Sequence, residues 1–366
     1  TDKVPIREAG LTPYEIMLSE SQERMLVVAE PHRVREIQAV CEKWELTATP
    51  IGRVTDDGMY RIRHHGITVA EIPSKRLIED VPIYNPEAKE SVEAASRRTG
   101  EPSNPPRADP LGALPLLLDE PSIASKRWVF EQYDSTVQAA TLIGPGGDSG
   151  VLRIADTGFG LAVTVDCNSR LVSLDPYEGG KATVAEAARN IACSGATPLG
   201  ITDCLNFGNP ERPEIFFQFK EACRGIAEAC RAFNTPVTGG NVSLYNESPT
   251  GAVDPTPVVG MVGLLEQIEH RVGSHFQQSG DRILLLGGVP DNPIGGSGRL
   301  GGSAYWTYVR DFIGGAQPIV DLAAEAALQK LLVEAARLNL LRSAHDCSTG
   351  GLAVALAEMC IAGDKG

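Results

Sequence analysis

Apolar positions along the chain switch between two periods. Short apolar runs at 25–29 and 47–54 flank a stretch in which Val34, Ile37, Val40, Cys41 and Trp44 recur three and four residues apart. That pattern predicts a strand, an amphipathic helix and a second strand, a βαβ unit. Asp57-Gly58 and His65-Gly66 then punctuate short alternating stretches ending near Ile72, as expected of strands joined by tight turns. Residues 83–113 are rich in Pro, Ser, Glu and Arg and carry little apolar period, so they read as a linker.

Regular patterning resumes beyond the linker. Strands are predicted at 151–154, 161–166 and 258–265, with helices at 183–193 and 215–233. Phe216, Phe219, Cys223, Ile226 and Cys230 share one face of the second helix. A strand at 283–286, a glycine-rich loop at 295–302 and helices at 322–338 and 352–361 follow. The elements add up to an α+β (mixed α/β) fold with helices flanking the sheets.

Composition narrows the function classes. Apolar residues make up 42% and charged residues 22% of 366, enough to bury sizeable cores, and the length predicts two or three domains. A net charge of −14 argues against nucleic acid as the main partner, because a phosphate backbone calls for a basic surface. Small anionic ligands stay open, since backbone N–H groups and a bound cation act locally. The longest apolar runs are far too short to span a bilayer, and no signal peptide is evident, which points to the cytoplasm. Eight cysteines without a C-x-x-C pair read as reduced, mostly buried thiols. The first residue is Thr1, and the last apolar helical run ends the chain, so the sequence reads as a fragment of a longer protein.

No G-x-x-x-x-G-K-[ST] loop and no G-x-G-x-x-G after a strand is present, so a nucleotide site here would be assembled from dispersed acids and amides. Asp166 ends a predicted strand. Glu186 and Asn190 lie four apart on one helix face, beside small alanines; a solvated polar stripe is the plainer reading. Asp203 sits in a run to Pro210 dense in turn formers, where an Asx turn is the plainer reading. Gly239-Gly240-Asn241-Val242-Ser243 combines glycines that let a backbone approach phosphate with oxygens suited to metal or ligand, against a simple turn. Asp346 and Ser348 precede an apolar helix, as helix caps or as part of an anion site.

Six motifs, taken in order, resemble the synthetase subunit of the phosphoribosylformylglycinamidine synthase family, of the multi-subunit bacterial type. They are residues 18–25 (Leu-Ser-Glu-Ser-Gln-Glu-Arg-Met), 144–148, 175–180, 202–210, 239–243 and 345–352. The resemblance implies A and B domains like those of aminoimidazole ribonucleotide synthetase, with mostly antiparallel or mixed sheets. Residues 1–82 would be the C-terminal part of a first B domain, 114–268 a second A domain, and 269–366 a second B domain truncated at its C-terminus.

It further implies a carbon–nitrogen ligase that uses ATP and Mg2+ to convert formylglycinamide ribonucleotide and glutamine-derived ammonia to the amidine in purine biosynthesis. A glutaminase subunit and a small bridging subunit would be its partners. Glu20, Ser21, Gln22 and Ser243 would contact substrate, Asp203 and Gly240 ATP, and Asn241 magnesium. Asp166, Glu186, Asn190, Asp346 and Ser348 would form an auxiliary nucleotide and metal site. The family's catalytic histidines fall outside this sequence, so no catalytic residue is expected in it and the fragment alone should be inactive. The competing readings are another ATP-dependent enzyme of the same superfamily and a non-catalytic docking module with the same fold.

Overall fold

The computed structural model describes residues 1–20, 24–104, 107–287 and 299–366. The chain divides into two compact units, Thr1–Asn85 and Pro86–Gly366.

In the first unit, α1 (Pro13–Leu18) starts at a capping box. The Thr12 hydroxyl accepts the Glu15 N–H at 3.3 Å, and the Glu15 carboxylate accepts the Thr12 N–H at 2.7 Å. The amphipathic period produces α2 (Val34–Lys43). The alternating segment forms the antiparallel hairpin β1 (Met59–His64) and β2 (Ile67–Pro73), turned at His65 and Gly66, both with positive φ. The expected βαβ unit is not formed. Residues 25–29 and 47–54 belong to no strand, and Met25, Leu26, Val27 and Val28 are exposed. Apolar, β-branched composition favours an extended backbone but supplies no hydrogen-bond partner, and among the described residues neither segment has a neighbouring strand.

The second unit contains α3 (Val92–Arg97), α4 (Pro110–Asp119), α5 (Arg127–Phe130), β3 (Thr141–Ile143), β4 (Gly150–Arg153), β5 (Gly160–Asp166), α6 (Ser169–Leu174), α7 (Pro176–Cys193) and β6 (Thr197–Asn206). They are followed by α8 (Pro213–Phe233), β7 (Val237–Ser243), β8 (Glu247–Ser248), β9 (Gly251–Ala252), β10 (Thr256–Leu265), α9 (Leu322–Arg337) and α10 (Gly351–Gly363). Six strands form one mixed sheet in the order β3-β4-β5-β10-β6-β7, antiparallel throughout except for the parallel β6–β7 pair.

The main core lies where α7 and α8 meet the sheet, around Val184, Ala188, Ile191, Phe207, Ile226, Val259 and Met261. Asp175 caps α7 by accepting the Glu178 N–H at 3.1 Å, and Pro176 opens its first turn, so the helix begins well before the predicted 183. The glycines of the 175–180 motif serve packing. A Cβ on Gly180 would fall 2.5 Å from the Ala222 carbonyl, and one on Gly225 2.1 Å from that of Tyr177, so α7 and α8 meet backbone to backbone.

Several other expectations change. The segment read as a linker carries α3, capped by Ser91, and docks on its own unit. The Lys89 N–H donates to Pro213 (3.1 Å), Arg98 to the Leu174 carbonyl (2.6 Å), and the Gly315 N–H to Arg97 (2.7 Å). Its polar composition conceals these tertiary bonds. Residues 283–286 form no strand, and Ile283, Leu284, Leu285 and Leu286 are exposed. Of the expected glycine-rich loop, 295–298 lie outside the described residues. All eight cysteines are free, but only Cys193 and Cys230 are buried, while Cys204 and Cys347 are exposed. Among the described residues no helix is long and apolar enough to cross a membrane.

Candidate functional site

Two polar clusters stand out in the second unit. The first is built on the parallel strands at the sheet edge. The turn-rich spelling around Asp203 does not make a loop: β6 runs through to Asn206, because ladders to β10 and β7 on its two sides override local turn preference. Gly239 and Gly240 likewise lie in β7 and not in a turn.

The register sets Asp203 opposite Gly240, Cys204 opposite Asn241 and Asn206 opposite Ser243. Thr202 Oγ1 donates to the Gly239 carbonyl (3.1 Å) and Thr238 Oγ1 to that of Ile201 (3.0 Å), which locks the pairing. A Cβ at residue 240 would fall 2.0 Å from Asp203 Oδ1, so only glycine leaves the carboxylate its place. Among the described residues that carboxylate has no hydrogen-bond or ion-pair partner, and burial raises its pKa. Asn241 is exposed on the edge strand. Ser243 Oγ donates to Asn246 Oδ1 (3.1 Å), which keeps its lone pairs free to accept.

The edge therefore offers an unpaired carboxylate, an amide and a hydroxyl beside a side-chain-free backbone. Of the expected substrate contacts, Glu20 is exposed just beyond α1 in the other unit, and Ser21 and Gln22 lie outside the described residues.

The second cluster gathers Asp166 from the end of β5, Glu186 and Asn190 from α7, and Asp346 and Ser348 from the segment before α10. Asn190 Nδ2 donates to Asp166 Oδ1 at 2.9 Å, and Thr164 donates to Asp166 Oδ2 at 2.9 Å. Burial, reinforced by the Asp346 charge, pushes Asp166 up to about 6 against these two hydrogen bonds. Burial and the charges of Asp346 and Asp166 push Glu186 up to about 7, with Arg189 and Ser348 opposing.

Asp346 is also raised, by burial first, and its Oδ2 is a buried oxygen without a hydrogen bond; its near neighbour is Arg189 Nε at 3.6 Å. Arg189 in turn donates to Glu325 Oε1 on α9 at 2.8 Å. Burial alone would favour neutral arginine, but Glu325, Asp346 and Glu186 together outweigh it and hold the guanidinium charged.

The chemistry of mutually repelling carboxylates and an orphaned carboxylate oxygen suits a hard dication such as Mg2+, but Asp166, Glu186 and Asp346 do not bring their ligand atoms within 4.8 Å of one another. Capping does not account for the 345–352 motif: α10 starts after Gly350 in a left-handed conformation, with no side-chain cap.

Arg189 and Glu325 join this cluster without having been singled out in the sequence, and Asp148 closes the 144–148 motif, to which no role was assigned. Asp148 Oδ1 lies 2.7 Å from His345 Nδ1, and Glu358 Oε2 lies 3.1 Å from Nε2. Asp148, His345 and Asp346 present potential ligand atoms within 4.8 Å of one another. Arg189, one turn from Glu186 on α7, was legible as a helix-face neighbour. Asp148 left no local signal beyond its glycine-rich setting.

Comparison with known proteins agrees with this architecture. Residues 146–265 match the AIR synthase related protein N-terminal domain family, and residues 1–65 and 278–366 match its C-terminal domain family. The phosphoribosylformylglycinamidine synthase subunit PurL of Moorella thermoacetica is 50% identical over 364 residues, 99% of this chain and 49% of that protein. The chain thus spans about half the length of this curated relative. The Thermotoga maritima PurL structure complexed with FGAR aligns over 92% of this chain and 46% of its own, with a TM-score of 0.61 and 25% identity. The same protein complexed with ATP aligns over 74% and 42%, with a TM-score of 0.58 and 29% identity. The chain belongs to the AIR synthase related family, on the branch of the phosphoribosylformylglycinamidine synthase synthetase subunits.

Proposed function

We propose that this chain carries part of the machinery for ATP-dependent conversion of formylglycinamide ribonucleotide to its amidine. The observation that carries the reading is the β6–β7 register, which sets the unpaired Asp203 carboxylate against Gly240 and next to Asn241 at an open sheet edge. In this reading Asp203 and Gly240 contact ATP, Asn241 takes Mg2+, and Ser243 contacts the ribonucleotide; Glu20, Ser21 and Gln22 are assigned ribonucleotide contacts on the family resemblance alone. Residues 1–82 end one B domain, 114–268 form an A domain and 269–366 open the next B domain.

An amide oxygen is a poor leaving group, so the γ-phosphoryl group of ATP passes to it and ammonia then displaces phosphate. Bound Mg2+ would neutralise charge on the phosphates. The residues named here orient the reactants and exclude competing geometries, which is the main source of rate in phosphoryl transfer. Ammonia comes from a glutaminase subunit, with a small bridging subunit completing the cytoplasmic complex. The second cluster, Asp166, Glu186, Asn190, Asp346 and Ser348, binds magnesium with a nucleotide that is not consumed and ties α7 to the segment before α10.

The test is Asn241→Ala in the complete synthetase subunit, assayed with its glutaminase. Loss of a metal ligand should lower the rate roughly 10²-fold or more with little change in melting temperature. Activity within about twofold of the parent, accompanied by lower stability, would make Asn241 structural and refute the site.

A further inference from the structure

The carboxylate of Asp346 belongs to a stretch without regular structure. Residues 344–348 lie in neither helix nor strand, between the bridge at Ser343 and the start of α10. Something other than secondary structure must hold Asp346 in place.

The Ala344 N–H donates to the Gly273 carbonyl at 3.1 Å on one side. On the other, His345 is clasped between two carboxylates. Its Nδ1 meets Asp148 Oδ1 at 2.7 Å, where the Asp148 side chain is only 4% exposed, and its Nε2 meets Glu358 Oε2 at 3.1 Å. Each ring nitrogen is thus within hydrogen-bond distance of a carboxylate oxygen, so the ring is gripped on both sides. The Asp346 N–H also points to Asp148 Oδ1, at 3.5 Å.

Asp148 is itself anchored to the helix that carries the rest of the cluster. The neighbouring Ser149 donates to Ser194 Oγ at 2.6 Å in a buried pair, and Ser194 Oγ donates to the Asn190 carbonyl at 3.3 Å. The contacts therefore run from α7 through Ser194, Ser149, Asp148 and His345 to Asp346, and return to α7 at Arg189.

We propose that Asp148 and His345 are positioning residues that hold the Asp346 carboxylate in register with Asp166, Glu186 and Asn190 on a cation. The proposal rests on the reading of that cluster as a magnesium site. Each ring nitrogen of His345 is already engaged by a carboxylate, so its part is to orient and not to ligate.

The test is Mn2+ titration of this chain, followed by calorimetry and electron paramagnetic resonance, with crystal structures of the variants. Asp148→Asn and His345→Gln should each weaken Mn2+ binding about 10- to 100-fold while far-ultraviolet circular dichroism stays that of the parent. Because the two act in one chain of contacts, the double variant should bind no more weakly than the worse single one. Glu358→Gln, whose side chain is 44% exposed, should stay within about threefold of the parent. Parent-like affinity in both single variants, or fully additive losses in the double variant, would overturn the proposal. If the parent binds no Mn2+, the metal reading of the cluster falls, and the Asp148→Asn structure decides the positioning role. An Asp346 displaced from Arg189 upholds it, and an unmoved Asp346 overturns it.

Discussion

Arg189 on α7 donates to Glu325 on α9 at 2.8 Å, with both side chains 20% exposed, and so places one fixed positive charge against a group of carboxylates. Replacing it should reveal what that charge opposes. Arg189→Met would leave the buried Asp346 and the partly buried Glu325 uncompensated, at a cost of about 3–5 kcal/mol in urea unfolding at pH 7. Saturating Mg2+ should recover more stability in the variant than it adds to the parent. A variant as stable as the parent would show that Arg189 does not counter the cluster.

At the sheet edge, Gly240→Ala forces Asp203 from its place, since the added methyl would sit 2.0 Å from its Oδ1. Stability should fall by about 1–3 kcal/mol from overpacking. In the complete subunit kcat/KM for ATP should fall about 10²-fold, the order expected when a contact group moves by about 1 Å. Steady-state kinetics beside chemical denaturation separates the two effects. Unchanged kcat/KM would remove Asp203 from the ATP site.

Metal binding should depend on pH in a stated direction. Asp166 and Glu186 have folded pKa values of about 6 and about 7, above the ordinary 3.8 and 4.5. The folded state then binds more protons than the unfolded one across that window, so these two groups erode stability as pH rises from about 4 to about 7. Magnesium requires both carboxylates ionised. The rise in melting temperature on adding Mg2+ should be larger at pH 7.5 than at pH 5.5, and Glu186→Gln should reduce that difference. An equal rise at both pH values counts against the cluster as the cation site.

His345 predicts the opposite edge of the pH scale. Its folded pKa of about 10 exceeds the ordinary 6.5, so its ion pairs contribute fully below about pH 6.5 and fade as pH climbs through about 10. The stability gap between parent and His345→Gln should narrow steadily from pH 6.5 to pH 10 in urea titrations. A gap that is constant with pH would mean the ring is neutral.

Much of the second unit was legible in the apolar periods. β5, β10, α8 and α9 fall within two residues of their predicted ends, because each has a clear face toward one core. The strand through Asp203 was not legible, since Asn206, Gly208, Asn209 and Pro210 signal a turn locally; that turn forms only beyond Asn206, where Asn209 Oδ1 accepts the Glu211 N–H, while the ladders on both sides of β6 hold Asp203 in the sheet. The runs at 25–29 and 283–286 failed in the other direction, having strand composition without a partner. Glu186 and Asn190 could be paired from helix geometry alone. That Glu186 lies near enough to Asp346 to feel its charge was implied only by family resemblance, and the role of Asp148 depends on a residue 197 positions away.

That separation has a kinetic consequence. The β5–α7–β6 region can assemble from contacts between near neighbours in the chain, but the clasp of Asp148 on His345 must close a very long loop. The clasp should form after the rate-limiting step of folding, and a ligand that tightens it should slow unfolding while leaving the folding rate nearly untouched. Occupancy of the second cluster would then act as a brake on unfolding, so the lifetime of the folded chain follows the supply of cation.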